Sequence, residues 1–443
     1  MQEKSWEHES VRRHSKGETE ETMKEPQDYL TYLKKISQKK TYLRHLDTET
    51  KNKVLLRLAQ KLLSHSSSLL DFNKKDLLDY QQSPNFQKAF EDRLTLTPQR
   101  LEAMAQGLRV VATLPEVNGQ VVEQKTLPNK LKLRRVRAPL GVIFFIFESR
   151  PNVITEAFSL AFKSGNILIL KGGKESRSTS GALYRLIQES LQEEGVSPDV
   201  LWGLEEASRE VTDFLMQQNQ WIDVLIPRGG EALIEHVTKN SRIPLIKNDR
   251  GLCHLYVHEQ AQLEMAQQIL LNAKTQRPGV CNAVETLLID HKIAADFLPI
   301  MHLDLRNKGV EFYVCEKTEK IMKGWEGVHP ITAHSFQTEY LDLKLNVKRV
   351  ESLEEAITHI ENYGSRHSEA IITENEIVAQ EFIGRVDAAV VYWNASTRFT
   401  DGGEFGMGGE MGISTQKLHV RGPVGMEALT SLRWIVEGSG QTR

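Results

Sequence analysis

The chain's clearest chemical signal is a single thiol. In KTQRPGVCNAVETLLI, Cys281 stands in a Pro-Gly loop directly before an apolar run that reads as a strand. A catalytic thiol needs such an accessible mouth, whereas most cysteines outside disulfides are small buried hydrophobes, and locally the two readings stand side by side. Cys253 and Cys315 lie inside apolar strand-like runs and read as structural. In FESRPNVITEAF a strand end turns through Ser149-Arg150-Pro151 into a helix with proline near its first turn. Asn152 could offer its side-chain amide to a developing oxyanion there, or merely cap the helix. The strand ILIL runs into KGGKES, placing Lys171 and Lys174 just beyond its carboxyl end, where dinucleotides bind in open α/β sheets, although two lysines in a loop are more often a solvated edge than a phosphate site. In PRGGEALIEHV, Gly229 and Gly230 open a helix and would let a phosphate approach the backbone, or serve as an ordinary tight turn. G-x-G-x-x-G and G-x-x-x-x-G-K-[ST] are both absent, which disfavours a conventional Rossmann dehydrogenase or P-loop kinase. The 14 histidines show no ligand-like clustering, so no metal site is expected.

These loops need a scaffold. The 443 residues suffice for two or three domains around a large core, and 40% hydrophobic with 26% charged residues is an ordinary globular mix. With 56 Lys and Arg against 59 Asp and Glu, the net charge of -3 gives no electrostatic footprint for nucleic acid or an anionic membrane. Three scattered cysteines and the lack of an apolar leader or span point to the reducing cytoplasm. Residues 1–25 are dense in charge and read as a disordered tail. Helical periodicity follows, as in KVLLRLAQKLLSHSSSLLDF. An Asn-Gly turn then precedes VVEQKTL and KLKLRRV, the pattern of a two-stranded ribbon, an exposed arm. From Gly141 onward, short apolar runs alternate with amphipathic helices, as parallel strands with crossover helices do, and a second such block starts near Leu252. The expected fold class is therefore α/β, two domains with parallel-type sheets plus a small β arm. The last fifty residues are Gly-rich and read as a long functional loop or a domain crossing.

Taken in order, FESRPNV, LKGGKES, PRGG, QRPGVCNA, TEYLDLKLNVK, YGSRHSEAI and GEFGMGGEMGISTQKLHVRGP resemble the gamma-glutamyl phosphate reductases, a branch of the aldehyde dehydrogenase superfamily. The resemblance runs from about residue 30 to the end, and QRPGVCNA with STQKLHVRGP are its specific blocks. It implies an NADP-binding domain (26–117 and 139–251), a catalytic domain (252–400), and an oligomerisation arm with the C-terminal segment (118–138 and 415–443). It implies Cys281 as nucleophile and Asn152 as the oxyanion amide. Lys171 would hold the adenosine ribose and phosphate region, Gly229 and Gly230 would face the pyrophosphate, Glu339 would position the nicotinamide ribose, and Phe405 would pack near the nicotinamide.

The implied reaction is reduction of gamma-glutamyl phosphate to glutamate 5-semialdehyde, the second step from glutamate to proline, through a Cys281 thioester. Lys174 near the ribose lysine would attract a 2′-phosphate, so NADPH is the expected cofactor over NADH. Arg150, His419 and Arg421 are candidates for the substrate carboxylate or leaving phosphate, with a salt bridge to the arm as the structural alternative for Arg421. Oxidising aldehyde dehydrogenases carry a water-activating glutamate; the corresponding stretch here, IPLIKNDRGLCHLYV, has Lys247 and Asn248 near that place, with Asp249 as a remaining candidate base. The alternatives are an NAD-dependent oxidising aldehyde dehydrogenase and a non-catalytic scaffold. A homo-oligomer is expected, as is transient contact with a separate glutamate 5-kinase supplying the unstable acyl phosphate.

Overall fold

The structure is a computed structural model that describes residues 25–443 apart from Asn85, Ser149, Glu206, Ala207, Asn248 and Asp249. The charged tail, but for Glu25, lies outside the described residues, as do Ser149 and the Asn248–Asp249 pair.

Leu, Val and Ala at three- and four-residue spacing make six helices between Pro26 and Thr113. Their buried faces join the core of a four-stranded sheet rather than forming a bundle of their own. That sheet holds β3 (Val142–Phe147), β4 (Ile167–Lys171), β5 (Leu201–Leu204) and β6 (Val224–Arg228), all parallel in the order β5-β4-β3-β6. Every residue of β3 is buried, which is why VIFFIF is continuous rather than alternating. β5 is a strand the apolar-run reading passes over: LWGL has four residues, and its Gly203 is required because a Cβ there would sit 2.2 Å from the Tyr184 ring.

The second sheet is also wholly parallel. It contains β7 (Cys253–Val257), β8 (Val284–Asp290), β9 (Glu311–Val314), β10 (Val328–Pro330), β11 (Lys344–Val350), β12 (Ser368–Ile372) and β13 (Val390–Trp393), in the order β10-β9-β11-β8-β7-β12-β13. Helices cover both faces with separate apolar clusters.

The arm pairs β1 (Val121–Thr126) with β2 (Lys132–Pro139), but the ribbon is three-stranded. β16 (Thr430–Glu437) lies antiparallel along all of β2, Thr430 opposite Pro139 and Glu437 opposite Lys132. Between β13 and β16 the Gly-rich segment forms, between the short 3-10 turns Thr397–Phe399 and Met426–Leu429, the two-residue pair β14 (Ile413–Ser414) and β15 (Gly422–Pro423) before returning to the arm. No described helix is long and apolar enough to cross a membrane.

Candidate active site

The carboxyl ends of β3 and β6 face the amino ends of β7 and β8 across a cavity of about 660 Å³. Pro278-Gly279 stops the helix Leu263–Thr275 and turns the chain toward β8, leaving Cys281 half-buried on the cavity wall. Asn282, next in the chain, is buried and fastens this loop. Its side-chain amide donates to the carbonyl oxygens of Thr400 (2.8 Å) and Arg398 (3.3 Å), and Thr397 Oγ1 donates to its carbonyl at 2.7 Å. Arg398 completes the clamp by donating to Asn282 Oδ1 and, at 2.9 Å, to Gln276 Oε1.

Behind Cys281, a buried Lys274–Glu285 pair (3.1 Å) links the preceding helix to β8. Lys274 Nζ also donates to the Val284 carbonyl, and the Leu341 amide donates to Glu285 at 3.2 Å, so the pair ties the Cys281 loop to the segment carrying Glu339. Burial pushes Glu285 up to about 7 against the pull of Lys274.

Arginines from both sides of the cavity gather around Cys281. Burial, then repulsion from Arg228, Arg93 and Arg277, draws Arg150 down to about 10, while Cys281 acts in the opposite sense. A guanidinium held in such company favours any anion placed beside it, a thiolate included. Carboxylates stand farther along the wall. Glu410, which lines the cavity, is raised to about 8 by burial, with Arg228 opposing and Glu156 and Asp401 adding; its Oε2 accepts from the Gly402 amide at 2.8 Å. On the wall made by the ends of β3 and β6 the Gly230 amide donates to Glu148 Oε1 at 2.8 Å, whereas on the Cys281 side Glu339 Oε1 accepts from the Gly251 amide at 2.9 Å.

The cavity thus unites Cys281, Arg150, Gly229, Gly230 and Glu339. Six other sequence candidates lie outside its lining. Asn152 is exposed at the start of the helix Asn152–Lys163, its side chain without a hydrogen-bond partner among the described residues, and Arg150 and Val153 beside it line the wall. Lys171 closes β4 and donates to the Gly172 carbonyl. Lys174 lines a second cavity of about 610 Å³ with Arg177 and Arg185. Phe405 is 40% exposed, four residues beyond Asp401 of the wall. His419 and Arg421 are set away from the cavity by bonds of their own: His419 is bonded to the Ala428 carbonyl (2.7 Å), and Arg421 pairs at 2.7 Å with Asp387, which precedes β13 and is not part of the arm. Lys417 and Arg421 together hold Asp387 down to about 2.

The chain matches the aldehyde dehydrogenase family over residues 13–309. A gamma-glutamyl phosphate reductase of Nautilia profundicola is 45% identical over 411 residues, 93% of this chain and 99% of that protein. One of Carboxydothermus hydrogenoformans is 46% identical over 416 residues, 94% of this chain and 99% of its own length. The crystal structure of the Thermotoga maritima gamma-glutamyl phosphate reductase superposes with a TM-score of 0.89 at 40% identity, covering 94% of this chain and 99% of that one. The chain belongs to the gamma-glutamyl phosphate reductase family. A nicotinamide cofactor goes with that membership.

Several cavity residues of this family member escape sequence reasoning. Arg228, Arg277 and Glu410 sit inside motifs singled out for their glycines and cysteine, and only the fold turns them inward. Arg93, from the helix Lys88–Leu94, belongs to no motif that could have announced it.

Proposed function

We propose that the chain reduces L-glutamate 5-phosphate to L-glutamate 5-semialdehyde and phosphate with NADPH, through a thioester on Cys281, as the second step of proline biosynthesis. The observation that carries this reading is Cys281 on the wall of a cavity crowded with arginines. An acyl phosphate with an α-carboxylate brings two anionic groups, and Arg150 with Arg93, Arg228 and Arg277 provides planar donors for both. The same charges favour the Cys281 thiolate, which attacks the acyl carbon as the phosphate departs. Asn152, with its side chain unspent, steadies the oxyanion from the helix start beside Arg150. His419 and Arg421 are left out of substrate binding, since each is engaged away from the cavity.

The cofactor's groups fit the ends of β3, β4 and β6, with Glu339 reaching in from the Cys281 side. The Gly230 amide already holds an anionic oxygen, that of Glu148, so a diphosphate oxygen finds a donor there by displacing it. A Cβ at Gly229 would meet Glu148 Cδ and Leu233 Cδ2 at 2.7 Å, so the turn is shaped for close approach. Glu339 receives the nicotinamide ribose, Phe405 packs near the ring, and Lys171 holds the adenosine ribose. Lys174 and Arg177 face the 2′-phosphate, while the nearby Asp76 is spent on the Ser178 and Thr179 amides. When bound, a reduced nicotinamide supplies the hydride that takes the thioester to the aldehyde.

Water competes for the thioester. Glu410 is protonated below about pH 8 and is no base for water under neutral conditions, which favours reduction over hydrolysis. The exposed Val121, Val122, Leu432, Trp434 and Val436 on the arm fit assembly into a homo-oligomer, and the instability of an acyl phosphate fits transient contact with a glutamate 5-kinase in the cytoplasm.

The test is the reverse reaction. Glutamate 5-semialdehyde should reduce NADP only with added phosphate, more slowly with NAD, and not at all after Cys281→Ala. Rapid turnover to free glutamate without phosphate would replace this reading with an oxidising aldehyde dehydrogenase.

A further inference from the structure

Cys253 begins β7 fully buried, with its Sγ 3.2 Å from the carbonyl oxygen of Cys281. Burial first, and then the negative charge of Glu369, pushes this thiol well above the usual thiol range, so it is an S–H donor at neutral pH. It ends a chain of buried groups that starts at the half-buried Tyr392. Tyr392 OH lies 2.8 Å from Thr400 Oγ1, Thr400 Oγ1 2.7 Å from Ser368 Oγ, and Ser368 Oγ 2.9 Å from His367 Nδ1, which is 3.7 Å from the Cys253 sulfur. His367 is drawn down to about 4 by burial, hence neutral and able to accept. Thr400 closes the circuit, since its carbonyl holds the Asn282 side chain.

Two residues earlier, Gly251 is packed against the same peptide. A Cβ there would stand 1.9 Å from the Cys281 carbonyl oxygen, and the Gly251 amide is anchored on Glu339. The Cys281–Asn282 peptide is therefore gripped at its oxygen from β7 and at Asn282 from the 397–400 segment. Because a peptide is planar, holding that oxygen restrains ψ at Cys281 and with it the direction in which the Cα–Cβ bond leaves the backbone.

We infer that Cys253 is a positioning residue: its thiol holds the Cys281 carbonyl and so aims the nucleophile at the acyl carbon. The inference rests on the reading of Cys281 as the nucleophile. It assigns a thiol that looks inert a directional task, and it touches neither substrate nor cofactor.

The test compares Cys253→Ala, which loses the donor, with Cys253→Ser, which keeps one, in full-length protein with Cys281→Ala as control. Losing one such bond should lower kcat about three- to tenfold with KM within about twofold, and serine should recover most of the loss. Alkylation of Cys281 by iodoacetamide, followed against pH in a Cys315→Ser background, should keep its midpoint, since a small reagent needs no aim. Should the alanine variant fail to fold, Cys253→Val fills the volume without a donor and takes its place; if neither folds, the role is structural and the inference falls. It falls equally if kcat stays within twofold of wild type, if serine does no better than alanine, or if kcat, alkylation and melting temperature all drop together. Those results leave the nucleophile reading intact so long as Cys281→Ala is inactive. Activity in Cys281→Ala would remove that reading and this inference with it.

Discussion

The two walls of the cavity are built by opposite means. On the nucleophile's side, polar groups are carried into the interior: Lys274, Glu285, Asn282 and Cys253 are all buried, each bonded to the loop that holds Cys281 or to its ends. On the proposed cofactor side, β3 is apolar and buried throughout, and among the described residues the polar contacts that reach the cavity come where strands end, at Glu148 and the Gly229-Gly230 turn. The difference follows from what each wall must do. A nucleophile has to be aimed, and only directional bonds specify an angle. A nucleotide seat has to leave backbone N–H groups and space available, which apolar packing from behind accomplishes without using them.

Breaking the polar wall should therefore be the costliest change. Lys274→Met leaves Glu285 buried without its cation and should lower unfolding stability by about 3–5 kcal/mol. Glu285 stands at about 7 with Lys274 pulling it down, so without Lys274 it should rise further, and the loss should grow as pH climbs above about 7, where wild type ionises this carboxyl and the variant keeps it neutral. Pairing it with Glu285→Leu should restore most of the stability, since an apolar pair fills the space without an orphan charge. Denaturant titrations at pH 5.5 and 8 check both statements; a single variant as stable as wild type would mean the pair does not hold this wall.

Next in size is Gly251→Ala. The added carbon meets the backbone of Cys281, which has no flexible end to swing aside, so the nucleophile itself has to shift. A displacement of that order should cost about a hundredfold in kcat. Steady-state kinetics with both substrates saturating would read it, and a loss confined to KM would contradict the aiming argument.

Glu410 sharpens the comparison from its edge, being a buried carboxyl in the cavity lining whose protonation Arg228 opposes. Its folded-state value near 8 lies above the ordinary carboxylate range, so between about pH 4.5 and 8 the folded chain holds a proton the unfolded chain has released. Stability contributed by this group therefore falls as pH rises, by about 1.4 kcal/mol per unit at most. Glu410→Gln, fixed in the neutral form, should gain on wild type across that window, with the melting-temperature gap wider at pH 7.5 than at 5.5. An unchanging gap would place the carboxyl in an ordinary, ionised state.

How much of this was legible beforehand follows the same division. Apolar strands announce themselves, so VIFFIF, ILIL and VETLLI read as buried parallel strands, and the fold class came with them. Short strands do not: LWGL and the three-residue β10 carry too few positions for a period. The third arm strand, TSLRWIVE, finds its partner some 290 residues earlier, a pairing no local pattern encodes. Cys281 was readable because proline and glycine must stop a helix before a loop can present a thiol. Cys253 read as a packed apolar residue because its bond to Cys281 exists only once β7 lies beside β8. Likewise Arg421 looks like an anion ligand until Asp387 is brought to it.

The smallest effect, and the most direct comparison of the walls, is Gly229→Ala. Here too the added carbon lands at 2.7 Å from its neighbours, but these are Glu148 Cδ, Glu148 Oε1 and Leu233 Cδ2, the far ends of flexible side chains. They can swing away, and a retreating Glu148 gives up the Gly230 amide that the diphosphate would claim. The methyl group itself narrows the approach to the turn. The expected outcome is a rise of about three- to tenfold in the KM for the nucleotide, with kcat within about twofold of wild type and stability changed by no more than about 1 kcal/mol. Measured beside Gly251→Ala, the pair separates the walls cleanly: one alanine should act through kcat and the other through nucleotide KM. If Gly229→Ala instead loses kcat as Gly251→Ala does, the cofactor wall is as rigidly tied as the nucleophile's, and the apolar packing behind β3 would have to be supplying that rigidity.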